Sequence, residues 1–422
     1  MKAEIINIGD ELLIGQIINT NAVWIANQFN ELGVSIARMT TVADNYESII
    51  DAVNAGFRQH DIVIMTGGLG PTKDDITKNT LMKYFNTELV FSQEVYDQLN
   101  HWFTSRGRIF SEVNQTQCYV PANCKVLINK WGTAPGMLFE IEGKYLVSLP
   151  GVPSEMKNLI LHYIIPFIQE EYNLPPQIHK SYNIEGIPES ELMKTIEVWE
   201  NNLPSTIKLA YLPSAGMVKL RMSSLNINGE AEQLIKMEAD KLHQIIGNDI
   251  FGYDEETLEI VIKKLLEIKH LTLTTAESCT GGFLAHKLTS VPGISKVFPG
   301  SFVTYDYWVK TDILGVQKET LEKFGAVSRE VVLEMASAAK KKMKTDYAIA
   351  LSGIAGPDGG TEDKPVGTVW IAWATPVTTI AKKFVFPSDR TGNILLSYQK
   401  SLSILRRLIL NIPLKQEYWE KN

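Results

Sequence analysis

Apolar runs alternate with amphipathic helical patterns along most of this chain. Near the N-terminus an apolar run ending at Ile8 precedes apolar residues at helical spacing from Val23 to Leu32, and the run DIVIMTGG follows a second helical pattern. This alternation is typical of β-α-β units on a parallel sheet. It predicts a doubly wound α/β domain over residues 1–168.

Two further segments follow this domain. The polar stretch EEYNLPPQIHKS contains Pro175 and Pro176, which break helix and strand patterns and indicate a linker. Residues 178–250 mix strand-like and helix-like segments and predict a small α+β domain. Residues 255–412 return to the α/β pattern, so we predict three domains in the 422 residues.

The composition excludes several classes of protein. With 45% hydrophobic residues the chain can form several cores, which excludes a disordered or fibrous protein. Its 41 basic and 48 acidic residues give a net charge of -7, so no nucleic-acid partner is expected. Three cysteines indicate free thiols, and no long uninterrupted apolar stretch indicates export or membrane insertion. We expect a cytoplasmic location and no membrane partner.

The segment TTAESCTGGFLAHKL contains a candidate nucleophile. It places Ser278 between a predicted strand and a helix that starts near Gly281 and Gly282. Backbone N–H groups are free at such a junction and can stabilise an oxyanion. The alternative is that Ser278 or Thr280 caps the helix, and this segment alone favours capping.

The segment GSFVTYDYWVKTDILGV offers a base for that nucleophile. Lys310 could activate a serine if its pKa, ordinarily about 10.4, were lowered enough to leave it neutral at pH 7. Tyr305 precedes it by five residues. Lysines are commonly exposed and tyrosines commonly half-buried, so the spacing alone is weak support.

Two later elements could bind a substrate. The glycine-rich stretch SGIAGPDGG follows a predicted strand, and Gly353 and Gly356 would let a phosphate or carbonyl approach the backbone closely. Arg390 precedes the last predicted helix and could bind a phosphate through two hydrogen bonds. The alternative for Arg390 is an ion pair with Asp389 or another acidic residue at the surface.

These strings keep their order over residues 255–412 and resemble the nicotinamide-nucleotide amidase domain of the CinA family. That family hydrolyses the carboxamide of nicotinamide mononucleotide to nicotinic acid mononucleotide and ammonia, without a cofactor. The resemblance implies that Ser278 is the nucleophile, Lys310 the general base and Tyr305 a hydrogen-bonding partner in proton transfer. It implies that Ser352 and Arg390 bind substrate. The other predicted substrate-binding positions are Cys279, Thr280, Gly281, Gly282, Gly353 and Gly356.

Two positions depart from the family pattern. The family usually has Ser-Asn after the tyrosine, where this chain has Asp306 and Tyr307, and usually Gly before the Asp-Arg pair, where it has Ser388. Neither position belongs to the expected Ser-Lys pair. Both adjoin residues that are expected to bind substrate, so we expect them to affect the reaction rate and the fit of the substrate.

Three N-terminal segments each follow an apolar run: IGDELLIGQIINTNAVWIA, TVADN and TGGLGPTKDDITKNT. They should meet at the carboxyl edge of the parallel strands, where open α/β sheets bind ligands. Glycines there permit a phosphate-binding loop, and aspartates could hold a divalent cation or, for one of Asp74 and Asp75, cap a helix. The predicted ligand-binding residues are Asn21, Gly67, Gly68 and Gly70, and the predicted metal ligands are Asp44, Asp74 and Asp75.

Together with APGM and LPGVPSEM, these strings resemble the molybdopterin-binding fold in the N-terminal half of CinA proteins. In the molybdenum-cofactor relatives, the positions matching Asp44 and Asp75 lie in the pterin-phosphate site. The CinA branch is instead associated with metal-dependent hydrolysis of ADP-ribose. The domain is therefore either an ADP-ribose pyrophosphatase or a pterin-binding module.

The middle segment resembles the KH-like domain of the same proteins. It lacks the GxxG loop that clamps nucleic acid in RNA-binding KH domains, so we expect a structural or dimer-forming role. The family resemblance implies a homodimer that acts on small nucleotides. The remaining alternative is a non-catalytic interaction protein in competence or DNA damage.

Overall fold

The computed structural model describes residues 1–72, 75–172, 174–416 and 419–421, which form two compact units. The first unit contains residues 1–178 and 225–232. The second contains residues 179–224 and 233–422, so it includes most of the middle segment and the whole C-terminal segment.

The first unit contains a six-stranded sheet and a separate pair of strands. Its strands are β1 (Lys2–Ile8), β2 (Ser35–Val42), β3 (Ile62–Thr66), β4 (Leu89–Phe91), β5 (Tyr119–Pro121), β6 (Lys125–Leu127), β7 (Gly136–Ile141) and β8 (Lys144–Leu149). Its helices are α1 (Asp10–Leu13), α2 (Thr20–Glu31), α3 (Tyr46–Gln59), α4 (Thr77–Tyr84), α5 (Gln93–Thr104), α6 (Glu112–Gln115), α7 (Pro153–Leu159) and α8 (Ile165–Glu171).

The strand order in this sheet is β2-β1-β3-β8-β7-β6, and β4 pairs with β5 separately. Strands β2, β1, β3 and β8 are mutually parallel, which confirms the predicted parallel sheet. Strands β7 and β6 extend it in antiparallel pairing. Alternate residues of β1 face opposite sides: Ile5 packs in a core cluster with Phe29, and Ile6 packs in a second cluster with Val53. Helices therefore cover both faces.

The middle segment contains both strands and helices in an α+β arrangement, as predicted. Its elements are β9 (Gln177–Glu185), α9 (Glu189–Asn201), β10 (Lys208–Ser214), β11 (Met217–Leu225), α10 (Ala231–Ile246) and β12 (Ile250–Tyr253). The strand order is β10-β11-β9-β12. Strand β12 is absent from the sequence prediction, because a run of four residues carries too little periodicity to be distinguished from a loop.

The C-terminal segment forms a second six-stranded sheet. Its strands are β13 (Leu273–Glu277), β14 (Ser301–Val303), β15 (Tyr347–Gly353), β16 (Thr368–Ala374), β17 (Thr379–Val385) and β18 (Glu420–Lys421), in the order β14-β13-β15-β16-β17-β18. Its helices are α11 (Leu258–Lys269), α12 (Phe283–Thr289), α13 (Lys318–Phe324), α14 (Arg329–Met343) and α15 (Arg390–Leu410). The three strands β14, β13 and β15 are parallel, so their carboxyl ends share one edge.

A buried ion-pair network joins helix α15 to the middle segment. Arg406 Nη1 lies 2.8 Å from Glu185 Oε1, and Arg407 is hydrogen-bonded to Asp249. Lys415 Nζ also lies 2.8 Å from Asp249 Oδ2. Both arginines are buried, and a buried charge is tolerated only when a counter-charge satisfies it. The network therefore ties the two parts of the second unit together.

Two further features are the hydrophobicity of the helices and the state of the cysteines. Within the ranges that the structure describes, no helix is long and apolar enough to cross a bilayer. The cysteines Cys118, Cys124 and Cys279 are free thiols, as predicted.

Candidate active site

Ser278 lies at the carboxyl edge of the C-terminal sheet, directly after β13. Its N–H donates a hydrogen bond to Leu351 O of the neighbouring strand across 2.9 Å, which fixes its backbone. Lys310 lies on a π-helical turn (Val309–Leu314) beyond β14, and its Nζ is 3.0 Å from Ser278 Oγ. Only 9% of Ser278 and 1% of Lys310 is exposed. The chain thus holds a serine hydroxyl against a buried amine.

The other contacts of Lys310 fix the position of its amine. Its Nζ donates hydrogen bonds to Thr304 O at 2.7 Å and Tyr305 O at 3.2 Å. With Ser278 Oγ these make three acceptors around Nζ, which the three N–H groups of a protonated amine can fill; in a neutral amine the lone pair would instead face the Ser278 hydroxyl. Burial lowers the pKa of Lys310 below its usual 10.5, and the nearby Asp306 carboxylate opposes that shift. Burial therefore shifts the pKa of Lys310 in the direction that a general base requires.

Glu277 organises the turn that follows Ser278, a role that the sequence analysis missed. Its buried carboxylate accepts hydrogen bonds from the N–H groups of Gly282, Leu284 and Ala285 at 2.8–3.2 Å and from Thr280 Oγ1 at 2.8 Å. The capping alternative for Ser278 and Thr280 is therefore wrong, because the side chain of Glu277 satisfies the helix N-terminus. An acidic residue at the end of a buried strand, just before a helix, is the signal that could have identified it.

The same contacts reduce the number of backbone N–H groups that could stabilise an oxyanion. The N–H of Gly282, which the sequence analysis included, is occupied by Glu277, and the N–H of Gly281 bonds to Ser278 O across 3.0 Å. Among the residues that the structure describes, the N–H groups of Cys279 and Thr280 donate to no main-chain acceptor. These two donors lie next to the nucleophile and are available to a developing oxyanion.

Cys279 is the other nucleophilic side chain at this position. Burial raises the pKa of its thiol to about 12, so the thiol stays protonated at neutral pH. Because the thiolate is the reactive form of cysteine, Ser278 is the better nucleophile of the two.

Ser278 and Lys310 open into a cavity of about 270 Å³. Tyr305, Ser352, Gly353, Gly356 and Arg390 line it, so most of the predicted C-terminal site residues meet there. The cavity wall also includes seven residues outside the predicted site: Tyr307, Ala326, Val327, Ile354, Ala355, Asp358 and Gly359.

Arg390 is the cationic group of this cavity. Its Nη1 donates to Gly356 O at 2.7 Å and its Nη2 to the Tyr305 hydroxyl at 3.0 Å. The alternative pairing with Asp389 is wrong, because Asp389 caps helix α15 by accepting the N–H of Gly392 at 2.7 Å. Arg390 therefore keeps donors for a ligand anion.

Ser352 and the glycines shape the cavity wall. The Ser352 hydroxyl donates to Ala326 O at 2.6 Å, so it is committed to the protein in this state. A Cβ atom on Gly353 would lie 2.6 Å from Thr368 O, and Gly356 has a φ of +97°. Both positions require glycine for close backbone packing.

The predicted N-terminal residues also meet at a sheet edge. The side-chain amide of Asn21 donates a hydrogen bond to Gly151 O at 2.8 Å. Its buried Oδ1 accepts no hydrogen bond from the described residues. Gly67 and Gly68 have φ of +116° and +65°, and a Cβ on Gly68 would lie 2.1 Å from Thr77 Oγ1. The loop conformation therefore excludes side chains at both glycines.

The aspartates of this edge make protein contacts. Asp44 and Asp10 each accept the other's N–H, at 3.0 and 3.3 Å. Asp75 accepts from the N–H and hydroxyl of Thr72, and a Cβ on Gly70 would lie 2.4 Å from Asp75 Oδ2. Asp75 does not cap α4, and Asp74 lies outside the described residues.

These contacts bear on the predicted metal site. Nowhere in the described ranges do three or more His, Cys, Asp or Glu side chains gather closely enough to hold a cation. Because Asp74, the third predicted ligand, lies outside the described residues, the metal site stays a prediction.

Comparison with known proteins covers nearly the whole chain. Residues 4–170 match the family described as "Probable molybdopterin binding domain", residues 179–252 the "Damage-inducible protein CinA KH domain" and residues 255–409 the "CinA C-terminal domain". A CinA-like protein of Cytophaga hutchinsonii is 43% identical over 411 residues, which cover 97% of this chain and 98% of the relative. The chain belongs to the CinA family.

A second CinA-like protein, from Flavobacterium psychrophilum, is 44% identical over 413 residues, covering 97% of this chain and 99% of the relative. A solved structure of the competence/damage inducible protein CihA from Agrobacterium tumefaciens is 39% identical; it covers 36% of this chain and 93% of that chain, with a TM-score of 0.35. The two relatives align along nearly their full length, so CinA-family membership applies to all three matched segments.

Proposed function

We propose that the C-terminal segment hydrolyses the carboxamide of nicotinamide mononucleotide to nicotinic acid mononucleotide and ammonia. The contact of 3.0 Å between Lys310 Nζ and Ser278 Oγ, in a cavity that also contains Arg390, carries this proposal. Membership of the CinA family agrees with a C-terminal domain of this type. The Ser-Lys pair supplies a nucleophile and a base, and Arg390 supplies a partner for the phosphate.

The first half of the reaction forms an acyl-enzyme. Ser278 Oγ attacks the amide carbon while its proton passes to the lone pair of Lys310 Nζ. The N–H groups of Cys279 and Thr280 stabilise the oxyanion. Lys310 then returns the proton to the amide nitrogen, the C–N bond breaks and ammonia leaves.

The second half releases the acid. Water takes the place of ammonia, Lys310 removes one of its protons, and the resulting hydroxide attacks the ester carbon. The ester C–O bond breaks and the proton on Lys310 returns to Ser278 Oγ. The enzyme is thereby restored, and no cofactor takes part in the cycle.

Ammonia release from nicotinamide mononucleotide, without added metal, tests this proposal. We expect turnover by the parent protein and none by Ser278→Ala or Lys310→Ala. Lys310→Arg should also be inactive, because arginine stays protonated at all working pH values. Ser290→Ala and Lys318→Ala alter an exposed serine and an exposed lysine away from the cavity and serve as controls. Failure of the parent protein to release ammonia would overturn the proposal.

For the N-terminal domain we propose binding and hydrolysis of ADP-ribose at the glycine loop. The observation that supports this proposal is the backbone conformation of Gly67 and Gly68. Both have a positive φ and are closely packed, so the main chain and no side chain lies at this edge of the sheet. Such loops bind phosphate groups. The family match to a molybdopterin-binding domain makes pterin binding without turnover the competing reading.

ADP-ribose hydrolysis, measured with and without Mg²⁺, Mn²⁺ or Co²⁺, separates these readings. We expect metal-dependent release of AMP and ribose 5-phosphate, and its loss in Asp44→Asn. Asp51→Asn, an exposed aspartate on α3, is the control. Tight binding of a pterin without any turnover of ADP-ribose would decide for the pterin module.

A further inference from the structure

Two tyrosines at the wall of the active-site cavity are mostly exposed. The exposed fraction is 60% for Tyr305 and 58% for Tyr307. The hydroxyl of Tyr305 is bonded to Arg390. The side chain of Tyr307 has no hydrogen bond and no stacked ring among the described residues, so its ring is available to a ligand.

Tyr307 also lies close to the reacting groups. It precedes Lys310 by three residues at the start of the same helical turn, a spacing that places both side chains on one face. Its ring centroid is 5.7 Å from Lys310 Nζ, which is itself 3.0 Å from Ser278 Oγ. A substrate whose amide carbon lies at Ser278 Oγ therefore has its own ring within reach of Tyr307.

Two charged side chains of the cavity wall act on a substrate besides the ring of Tyr307: the cationic Arg390, and the acidic Asp358, which also attracts a cationic ring. Arg390 is permanently charged, so it attracts an anionic group and repels a cationic one. The face of a tyrosine ring carries negative electrostatic potential and attracts cations within about 6 Å. When Lys310 is neutral, as general-base catalysis requires, the face of Tyr307 is left without a cationic partner.

We propose that Tyr307 determines substrate specificity by contacting the positively charged heteroaromatic ring of the substrate. The pocket would then select cationic aromatic carboxamides that also carry a phosphate. This inference rests on the proposed amidase function. It predicts discrimination between nicotinamide mononucleotide and its reduced form, which has the same phosphate and carboxamide but no positive charge on the ring.

Kinetics with nicotinamide mononucleotide provide the first test. We expect Tyr307→Ala and Tyr307→Leu to raise KM roughly three- to thirtyfold, the range of a cation–π contact, with a smaller change in kcat. Leucine keeps apolar bulk and removes the aromatic face, so it separates the contribution of apolar contact from that of the cation–π contact. Tyr307→Phe should stay within about threefold of the parent, because phenylalanine keeps that face. Trp308→Ala removes an adjacent exposed aromatic residue outside the cavity and is the control.

Binding measured without chemistry provides the second test. In a Ser278→Ala background, titration calorimetry gives the Kd for the oxidised and the reduced mononucleotide. We expect tighter binding of the oxidised form, and loss of that preference when Tyr307→Leu is added. An unchanged preference in Tyr307→Leu, or an unchanged KM in an active Tyr307→Ala protein, overturns the role of Tyr307 and leaves the amidase proposal intact. Absence of ammonia release by the parent protein overturns the amidase proposal instead.

Discussion

The hydroxyl of Tyr305 accepts a hydrogen bond from Nη2 of Arg390 across 3.0 Å, while the main-chain carbonyl of Tyr305 accepts one from Lys310 Nζ at 3.2 Å. One residue thus contacts both the cationic group of the cavity and the amine beside Ser278. The two contacts use different parts of Tyr305, so a side-chain substitution can separate them.

Tyr305→Phe removes only the contact with Arg390. We expect KM for nicotinamide mononucleotide to rise about tenfold, the range of a hydrogen bond to a charged group, because Arg390 loses alignment. The kcat should change less than KM, since the carbonyl contact with Lys310 remains. A large fall in kcat at constant KM would instead place the hydroxyl in proton transfer, as the family resemblance implies.

The activity should depend on pH through Lys310. Burial lowers the pKa of this lysine below 10.5, and only the neutral amine accepts the proton of Ser278, so kcat/KM should rise with pH along a limb centred below 10.5. Asp306 raises the pKa of Lys310, so Asp306→Asn should move the limb to lower pH. Asp312→Asn, on the same turn, is the control. A limb that stays in place or moves to higher pH in Asp306→Asn contradicts this account.

Glu277 should matter for stability and activity together. Glu277→Gln replaces a carboxylate that accepts five hydrogen bonds from described residues, and we expect the free energy of unfolding to fall by about 2–4 kcal/mol. Ammonia release should also fall, because the turn with Cys279 and Thr280 loses its anchor. Urea denaturation measures the first effect. Glu267→Gln, which removes an i,i+4 pair with Lys263, should cost no more than about 0.5 kcal/mol, and an equal loss in both variants would contradict this role of Glu277.

Asp249→Asn should destabilise the second unit. It removes the counter-charge of the buried Arg407, and breaking such a pair typically costs about 3–5 kcal/mol. Glu255→Gln is the matched control, because the side chain of Glu255 is 94% exposed and its pair with Lys219 should contribute no more than about 1 kcal/mol. Unfolding in urea compares the two, and a similar small loss in both would show that the network does not stabilise the unit.

The sequence predicted the parts of the site that follow from strand order. Ser278 and Ser352 are at the ends of apolar runs, and the carboxyl ends of parallel strands meet at one edge, so their proximity was predictable. Arg390 was predictable as the first residue of a helix. The direction of β6 and β7 was not, because an apolar run has the same pattern in parallel and antiparallel pairing.

Other features depend on tertiary contacts that no local pattern records. Lys310 is 32 positions from Ser278, and only the fold shows that its amine is buried against the hydroxyl. The hydrogen bonds of the Glu277 carboxylate reach up to eight residues along the chain. Arg406 and Arg407 are buried although charged residues are ordinarily exposed, so their network could not be predicted from the local sequence pattern.

Helix α15 begins with Arg390 in the cavity and carries Arg406 and Arg407 near its other end. These arginines make the C-terminal segment dependent on its own middle segment. Recombination that joined residues 255–422 to a foreign middle segment would bury two guanidinium groups without Glu185 and Asp249. Transfer of this C-terminal segment to another chain therefore has a compatibility requirement: Glu185 and Asp249 on one side of the junction and the arginines on the other must be transferred as a set.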